Sequence, residues 1–142
     1  MTEPRVYLLD TNIISHMMRE PAGRATQKFA EVAARDLTQG MVTSTVVLCE
    51  LQFGLQRRPN IRLSTALDRI LTGVDVLPLD IDVVPRYAQL RATLEQNGIP
   101  MGPNDTLIAA HALALGATVV TADAEFSRVP GLSVENWLQA NP

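Results

Sequence analysis

The 142-residue chain carries 15 acidic against 12 basic side chains, a formal net charge of −3, and 46% of its residues are apolar. That is enough apolar material for one domain with a sizeable core, residues 1–142 as a unit, and too much for a disordered chain. The charge balance gives no overall nucleic-acid footprint, no charge-free run of about 18 apolar residues argues for a membrane span, no N-terminal signal pattern stands out, and the single Cys49 excludes an internal disulfide, so a cytoplasmic protein is expected.

Arg5 to Leu9 is an apolar run of strand length, followed by Asp10-Thr11-Asn12 and a helical segment from Ile13 to Met18. Asp10 therefore falls at the carboxyl end of a strand, just before a helix that Thr11 or Asn12 can cap. Glu20 to Gly23 reads as a turn, and Arg24 to Leu37 as a helix with Phe29, Val32 and Ala33 inward, broken at Gln39-Gly40. The basic side chains are almost all Arg, with Lys28 the only lysine; Arg suits bidentate phosphate contacts, although an Ala- and Arg-rich coding bias explains it as well.

Met41 to Thr43 is a short strand, and Ser44 or Thr45 is placed to cap a helix running through Leu55. Glu50 is the one acid in that apolar segment. It lies about 9 Å up the helix axis, and helical side chains lean toward the N-terminus, so a long Glu can reach back to the sheet edge. Cys49, with no basic group near it in sequence, reads as a small buried residue rather than a nucleophile. Pro59-Asn60 opens a further helix through Leu71, and Val74 to Leu79 has strand character. Asp80 or Asp82 can cap a helix that ends near Asn97-Gly98, on which Arg86 and Arg91 belong to a solvated face.

Gly102 to Asp123 is the segment that organises the rest. Asn104 is a candidate N-cap, Thr106 to Leu115 is apolar nearly all round and should be buried, Gly116 ends the helix, and Ala117 to Thr121 is a β-prone run. Helix and strand each span roughly 15–17 Å, so a chain running down one and up the other brings Asp105 and Asp123 to the same edge. Beyond Asp123, Ser133 to Trp137 can supply a last edge strand or a turn. Strands alternating with helices point to an α/β fold with a mainly parallel sheet.

Each acid alone has an ordinary explanation, since Asp suits helix starts and turns. Together, Asp10, Glu50, Asp105 and Asp123 form a constellation at one sheet edge, where ligands of open α/β folds gather. At about 5 Å and an effective dielectric near 20, each ionised pair costs about 3 kcal/mol, so such a cleft calls for a cation or a raised pKa. All-oxygen donors point to Mg²⁺ or Mn²⁺ rather than Zn²⁺. His16 and His111 form no recognisable pair, and His111, six residues after Asp105, reads as structural.

These residues carry a resemblance to PIN-domain ribonucleases, and within them to the VapC-type toxins of bacterial toxin–antitoxin systems. The matching blocks are LLDTNIIS (Leu8 to Ser15), TSTVVLCELQFG (Thr43 to Gly54), GPNDTLIAAHAL (Gly102 to Leu113) and VVTADAEFSRVPGLSVENW (Val119 to Trp137), which together span nearly the whole chain. The resemblance implies a PIN-like fold with helices on both faces of the sheet, and a Mg²⁺-dependent endoribonuclease that is usually a homodimer and is inhibited by a cognate antitoxin. It assigns the metal site to Asp10, Glu50, Asp105 and Asp123, with Thr11 and Thr121 in support, and favours structured RNA such as tRNA as substrate. Family members often carry Asn where this chain has Asp123. Two other readings stay open: another Mg²⁺-dependent phosphatase or phosphotransfer domain, for which Lys28 is poorly placed, and a non-catalytic nucleic-acid or protein binding module that keeps the fold.

Overall fold

The computed structural model describes residues 5–35 and 40–139. Strand β1 (Val6–Leu9) leads into α1 (Thr11–Arg19) and α2 (Arg24–Arg35); β2 (Gly40–Ser44) is followed by α3 (Thr45–Arg57) and α4 (Ile61–Ile70), then β3 (Asp75–Leu77), α5 (Val83–Gln96), α6 (Pro103–Leu115), β4 (Thr118–Val120), a 3₁₀ turn at Ala124–Arg128 and β5 (Ser133–Glu135). The five strands form one sheet in the order β3-β2-β1-β4-β5. Every pairing is parallel, so helical crossovers join the strands, and the α/β expectation holds.

The order has a functional consequence. The chain winds outward from β1 through β2 to β3, then returns to lay β4 on the other side of β1. The β1–β4 junction is thus the switch point, where the connections leave the two carboxyl ends in opposite directions and open a crevice between them.

Central burial follows from this order. Tyr7, Leu8 and Leu9 of β1 and Val119 and Val120 of β4 are almost fully buried, consistent with strands covered on both faces. Ile13 and Ile14 of α1 and Ile108, Ala109 and Ala112 of α6 pack into the same core. The alanines keep α6 thin, which permits close approach to its neighbours. The Tyr7 and Trp137 rings meet at 5.6 Å and 52°, which ties the segment after β5 to β1.

Several local expectations are corrected. The N-cap of α6 is Gly102 with Pro103 at the first helical position, not Asn104; Pro has no amide to satisfy there, and Thr106 donates its hydroxyl to the Gly102 carbonyl at 2.8 Å instead. Asp10 itself caps α1, accepting from the Thr11 amide, which leaves the Thr11 and Asn12 side chains free for other contacts. Of the capping pairs, Ser44 serves α3, whereas Asp82 stands at the start of α5 without a side-chain bond and Asp80 accepts only from the Ile81 amide. Cys49 is exposed rather than buried, because it faces away from the core-facing Val47 and Leu51. On α2, Val32 is buried and Phe29 half-buried as expected, but Ala33 is exposed and Ala25 takes the inward place. The expected end of that helix at Leu37 and the break at Gln39 lie outside the described residues. Gly116 ends α6 in the left-handed conformation, φ 66°, as its position foretold.

Candidate acidic site at the strand switch point

Four local devices deliver acids to the switch point. Asp10 leaves β1 and caps α1; its Oδ1 accepts from the Thr11 amide at 2.8 Å and its Oδ2 from the Thr121 hydroxyl at 2.8 Å. Glu50 projects back along α3, where its Oε1 accepts from the Thr11 hydroxyl at 3.0 Å. Asp105 sits in the first turn of α6, at the favourable end of the helix dipole. Asp123 follows β4 and caps the 3₁₀ turn, accepting from the Glu125 amide at 2.9 Å.

The threonines join these acids into one network. The Thr121 hydroxyl, fully buried, donates to Asp10 and accepts from the Asp123 amide at 3.0 Å. Thr11 ties Glu50 to the cap of α1. Asn12 adds a third tie: its amide group donates to Asp10 Oδ2 and to the Thr121 hydroxyl, each at 3.2 Å, and its Oδ1 accepts from the Ala122 amide at 2.9 Å. Both carboxyl ends at the β1–β4 junction are thereby locked together across more than a hundred residues of sequence. Thr43 completes the support by donating to the Leu9 carbonyl at 2.7 Å.

All the acids named in the sequence reading meet here. Asp105 feels each of them: burial raises its pKa to about 6, with Asp10, Asp123, Glu50 and Glu125 adding like charge. Burial also raises the Asp10 pKa, opposed by its bonds from Thr121 and Thr11 and reinforced by Glu50 and Asp123. Among the described residues no basic group pairs with Asp10, Glu50, Asp105 or Asp123, and Glu125 meets only Arg128, at 3.9 Å in an exposed, loose pair.

The closest grouping differs from the one expected. Asp105, Asp123 and Glu125 each bring an oxygen to within 4.8 Å of the others. Glu125 escaped the sequence reading, and so did the linking role of Asn12. Glu125 lies two positions after Asp123, and the 3₁₀ turn folds that short D-x-E spacing back on itself; the spacing was visible, but the turn was not. An all-carboxylate set in which burial, and then like charge, raises the pKa of Asp105 fits a hard divalent cation, for which oxygen donors of flexible geometry are suited.

His111 is separate from the acids. Buried on α6, its Nδ1 lies 3.0 Å from the Ser44 hydroxyl, and burial lowers its pKa. The Ser44 Oγ also accepts from the Val46 amide, so the contact with His111 couples α6 to the start of α3. The structural expectation for this residue is met.

The PIN domain family matches residues 7–132 of the chain. A ribonuclease VapC2 from Rickettsia felis is 35% identical over 134 residues, covering 93% of this chain and 98% of that protein. A tRNA(fMet)-specific endonuclease VapC from Shigella flexneri is 34% identical over 135 residues, covering 92% and 97%. Among solved structures, the VapBC2 complex of Rickettsia felis bound to a DNA fragment from its promoter superposes with a TM-score of 0.85 at 32% identity, covering 93% of this chain and 98% of that one.

Proposed function

Given that the chain belongs to the PIN-domain family, we propose that it is a metal-dependent endoribonuclease, the toxin of a toxin–antitoxin pair, and that residues 1–142 act as a single domain. The observation that carries this reading is the carboxylate cluster at the switch point, where Asp10, Glu50, Asp105 and Asp123 meet no basic partner among the described residues and Asp105 is raised to about 6. The relatives' names supply the reaction class, and the cluster supplies a means.

In this reading Asp10, Glu50, Asp105 and Asp123 hold Mg²⁺ or Mn²⁺, joined by Glu125, which stands in the tightest trio. Such an ion supplies charge neutralisation of the phosphate and activation of water. The protein's own part is positional. Thr121 and Asn12 fix the Asp10 carboxylate, Thr11 fixes Glu50, and the 3₁₀ turn aims Asp123 and Glu125 at Asp105. Holding like charges together before the ion arrives keeps reorganisation out of the reaction step.

The nucleophile in this reading is water rather than the ribose 2′-hydroxyl. The latter route needs a base and an acid flanking the phosphate, and His111 is committed to Ser44. Hydrolysis then leaves 5′-phosphate and 3′-hydroxyl ends. The tRNA specificity in the name of one relative is our preferred substrate class, and a homodimer our preferred assembly. The exposed apolar residues Ile81 and Val84 on and before α5 support the latter, since solvent otherwise covers them.

The test is an RNA cleavage assay with Mg²⁺ and with EDTA, followed by end analysis. Cleavage that EDTA abolishes, with 5′-phosphate products, is expected. Metal-independent cleavage, or 2′,3′-cyclic phosphate ends, would overturn the mechanism.

A further inference from the structure

The acid cluster does not stand in an isolated hollow. Thr121 and Asp123 border a depression of about 260 Å³ that also includes Asn136 and Gln139. Those same two residues line a second cavity of about 410 Å³, whose far wall carries Arg24 and Lys28 of α2. The two hollows adjoin at Asn136 and Gln139, and together they make a groove that leads from the switch point past the carboxyl end of β5 to α2. Strand spacing fixes its near end: β5 is two positions from β1, about 10 Å along the sheet edge. The Thr121 amide donates to the Glu135 carbonyl at 2.9 Å, so the groove floor is continuous with the network that holds Asp10.

Its chemistry changes along its length. The near end is acidic. At the far end the carboxylates are already engaged: Glu135 accepts from the Trp137 indole at 3.0 Å, and Glu31 is met by Lys28 at 3.6 Å and Arg35 at 3.4 Å. Arg24, at the first position of α2, has no ion pair among the described residues. Lys28 stands one helical turn further on the same face, and exposed pairs such as Lys28–Glu31 exchange at little cost. The Asn136 Oδ1 accepts from the Leu138 amide, which leaves its NH₂ group to the groove. A strand anchored by one phosphate at a cation in the acid cluster would find donors and then positive charge in this direction.

We propose that this groove is the track for the single-stranded RNA backbone on one side of the scissile phosphate, with Arg24 and Lys28 binding flanking phosphates and Asn136 and Gln139 lining the path. This rests on the ribonuclease reading above and adds to it a direction and two phosphate-binding residues. Polar walls and a gradient from acid to base favour a phosphodiester chain over an apolar peptide, which would need exposed hydrophobic lining.

The test uses the full chain in an Asp105→Asn background, so that RNA is bound rather than consumed, and a fluorescein-labelled single-stranded oligouridine read by anisotropy across a salt series. Arg24→Gln with Lys28→Gln should weaken binding about tenfold at low salt and reduce the slope of log K against log salt by about 1.4, the release expected for two phosphates on a single strand. Arg62→Gln with Arg69→Gln on α4, which removes the same charge from residues that do not line the groove, should leave the slope unchanged. Equal effects from the two pairs, or none from Arg24 and Lys28, would overturn the proposal. So would a result in which the α2 pair alters binding of the antitoxin and not of RNA, since the groove would then be a peptide site. RNA cleaved in a metal-dependent way with an unchanged salt slope sinks only this proposal; no binding and no cleavage under any condition sinks the ribonuclease reading with it.

Discussion

Asp105 is the residue at which folding and chemistry oppose each other most directly. Its folded pKa of about 6 stands above the ordinary carboxylate value, so ionised Asp105 is a cost to the folded apo protein at neutral pH. That cost is relieved as pH falls through about 6 toward 3.8, because the folded form then holds a proton the unfolded chain gives up. Asp105→Asn should therefore melt at or above the temperature of the unmutated protein in EDTA at pH 7 to 8, with the advantage shrinking below pH 6. In millimolar Mg²⁺ the order should reverse, since an ion that binds only the folded form stabilises by mass action. Activity should fall by about a hundredfold or more, as for loss of a single preorganised charge-handling group. Melting curves over pH and metal check all three. An Asp105→Asn protein that unfolds early in EDTA would make residue 105 a helix-start residue and nothing more. At this scale the sequence was informative about which acids to gather, because Asp10, Glu50, Asp105 and Asp123 follow strands or begin helices. It was silent about Glu125 and Asn12, whose roles depend on a 3₁₀ turn and on a side chain reaching from α1 to the start of the next turn. Neither leaves a periodic trace.

At the scale of elements, two glycines with similar open surroundings separate backbone strain from packing. A Cβ added at Gly116 or at Gly54 would meet nothing within 4 Å. Gly116 stands at φ 66° and ends α6, whereas Gly54 lies inside α3. Gly116→Ala should lower stability by about 1 kcal/mol through left-handed strain, and Gly54→Ala should raise it by about 0.5–1 kcal/mol by restricting the unfolded chain. Chemical denaturation of both variants checks the pair; equal signs would mean that side-chain packing rather than backbone conformation decides. Strand and helix positions were legible because apolar runs and capping residues mark them. The errors cluster at helix starts. Where Pro103 makes a side-chain cap unnecessary, and where Asp10 outcompetes Thr11 and Asn12 as cap, the local pattern admits several equivalent choices that only tertiary contacts decide.

For the whole molecule, the parallel order β3-β2-β1-β4-β5 makes the site a property of the topology. That order was not written in any local pattern: alternation of strands and helices dictates a parallel sheet but not which strand lies beside β1. The resulting cleft is strongly negative within a chain of net charge −3, and this bears on regulation. An antitoxin segment that places an Arg among Asp10, Glu50 and Asp105 would satisfy the charges without a metal. The complex should accordingly bind Mn²⁺ far more weakly than the free toxin, in a titration followed by the paramagnetic effect on water relaxation. A complex that takes up Mn²⁺ as avidly as the free protein would place the antitoxin elsewhere.

The double engagement of Asp10 bears on the genetics of the system. One carboxylate oxygen caps the start of a helix and the other receives the hydroxyl that locks the two strand ends, so the same side chain serves the core and the cleft. Asp10→Ala removes a cap worth about 0.5–2 kcal/mol and strands Thr121 as well. Asp105 carries no such double duty among the described contacts, and Asp123 has only the lesser one of capping a short 3₁₀ turn. When cells are forced to express the chain without its antitoxin and survivors are sequenced, substitutions at residues 105 and 123 should yield inert protein that still accumulates and still captures antitoxin. Substitutions at residue 10 should mostly be found among survivors that have lost the protein altogether. Abundant, antitoxin-binding Asp10 variants would contradict this. Loss-of-toxicity alleles should thus fall into two classes, silent toxins that continue to titrate the antitoxin and true nulls, and the position of the lost carboxylate should decide between them.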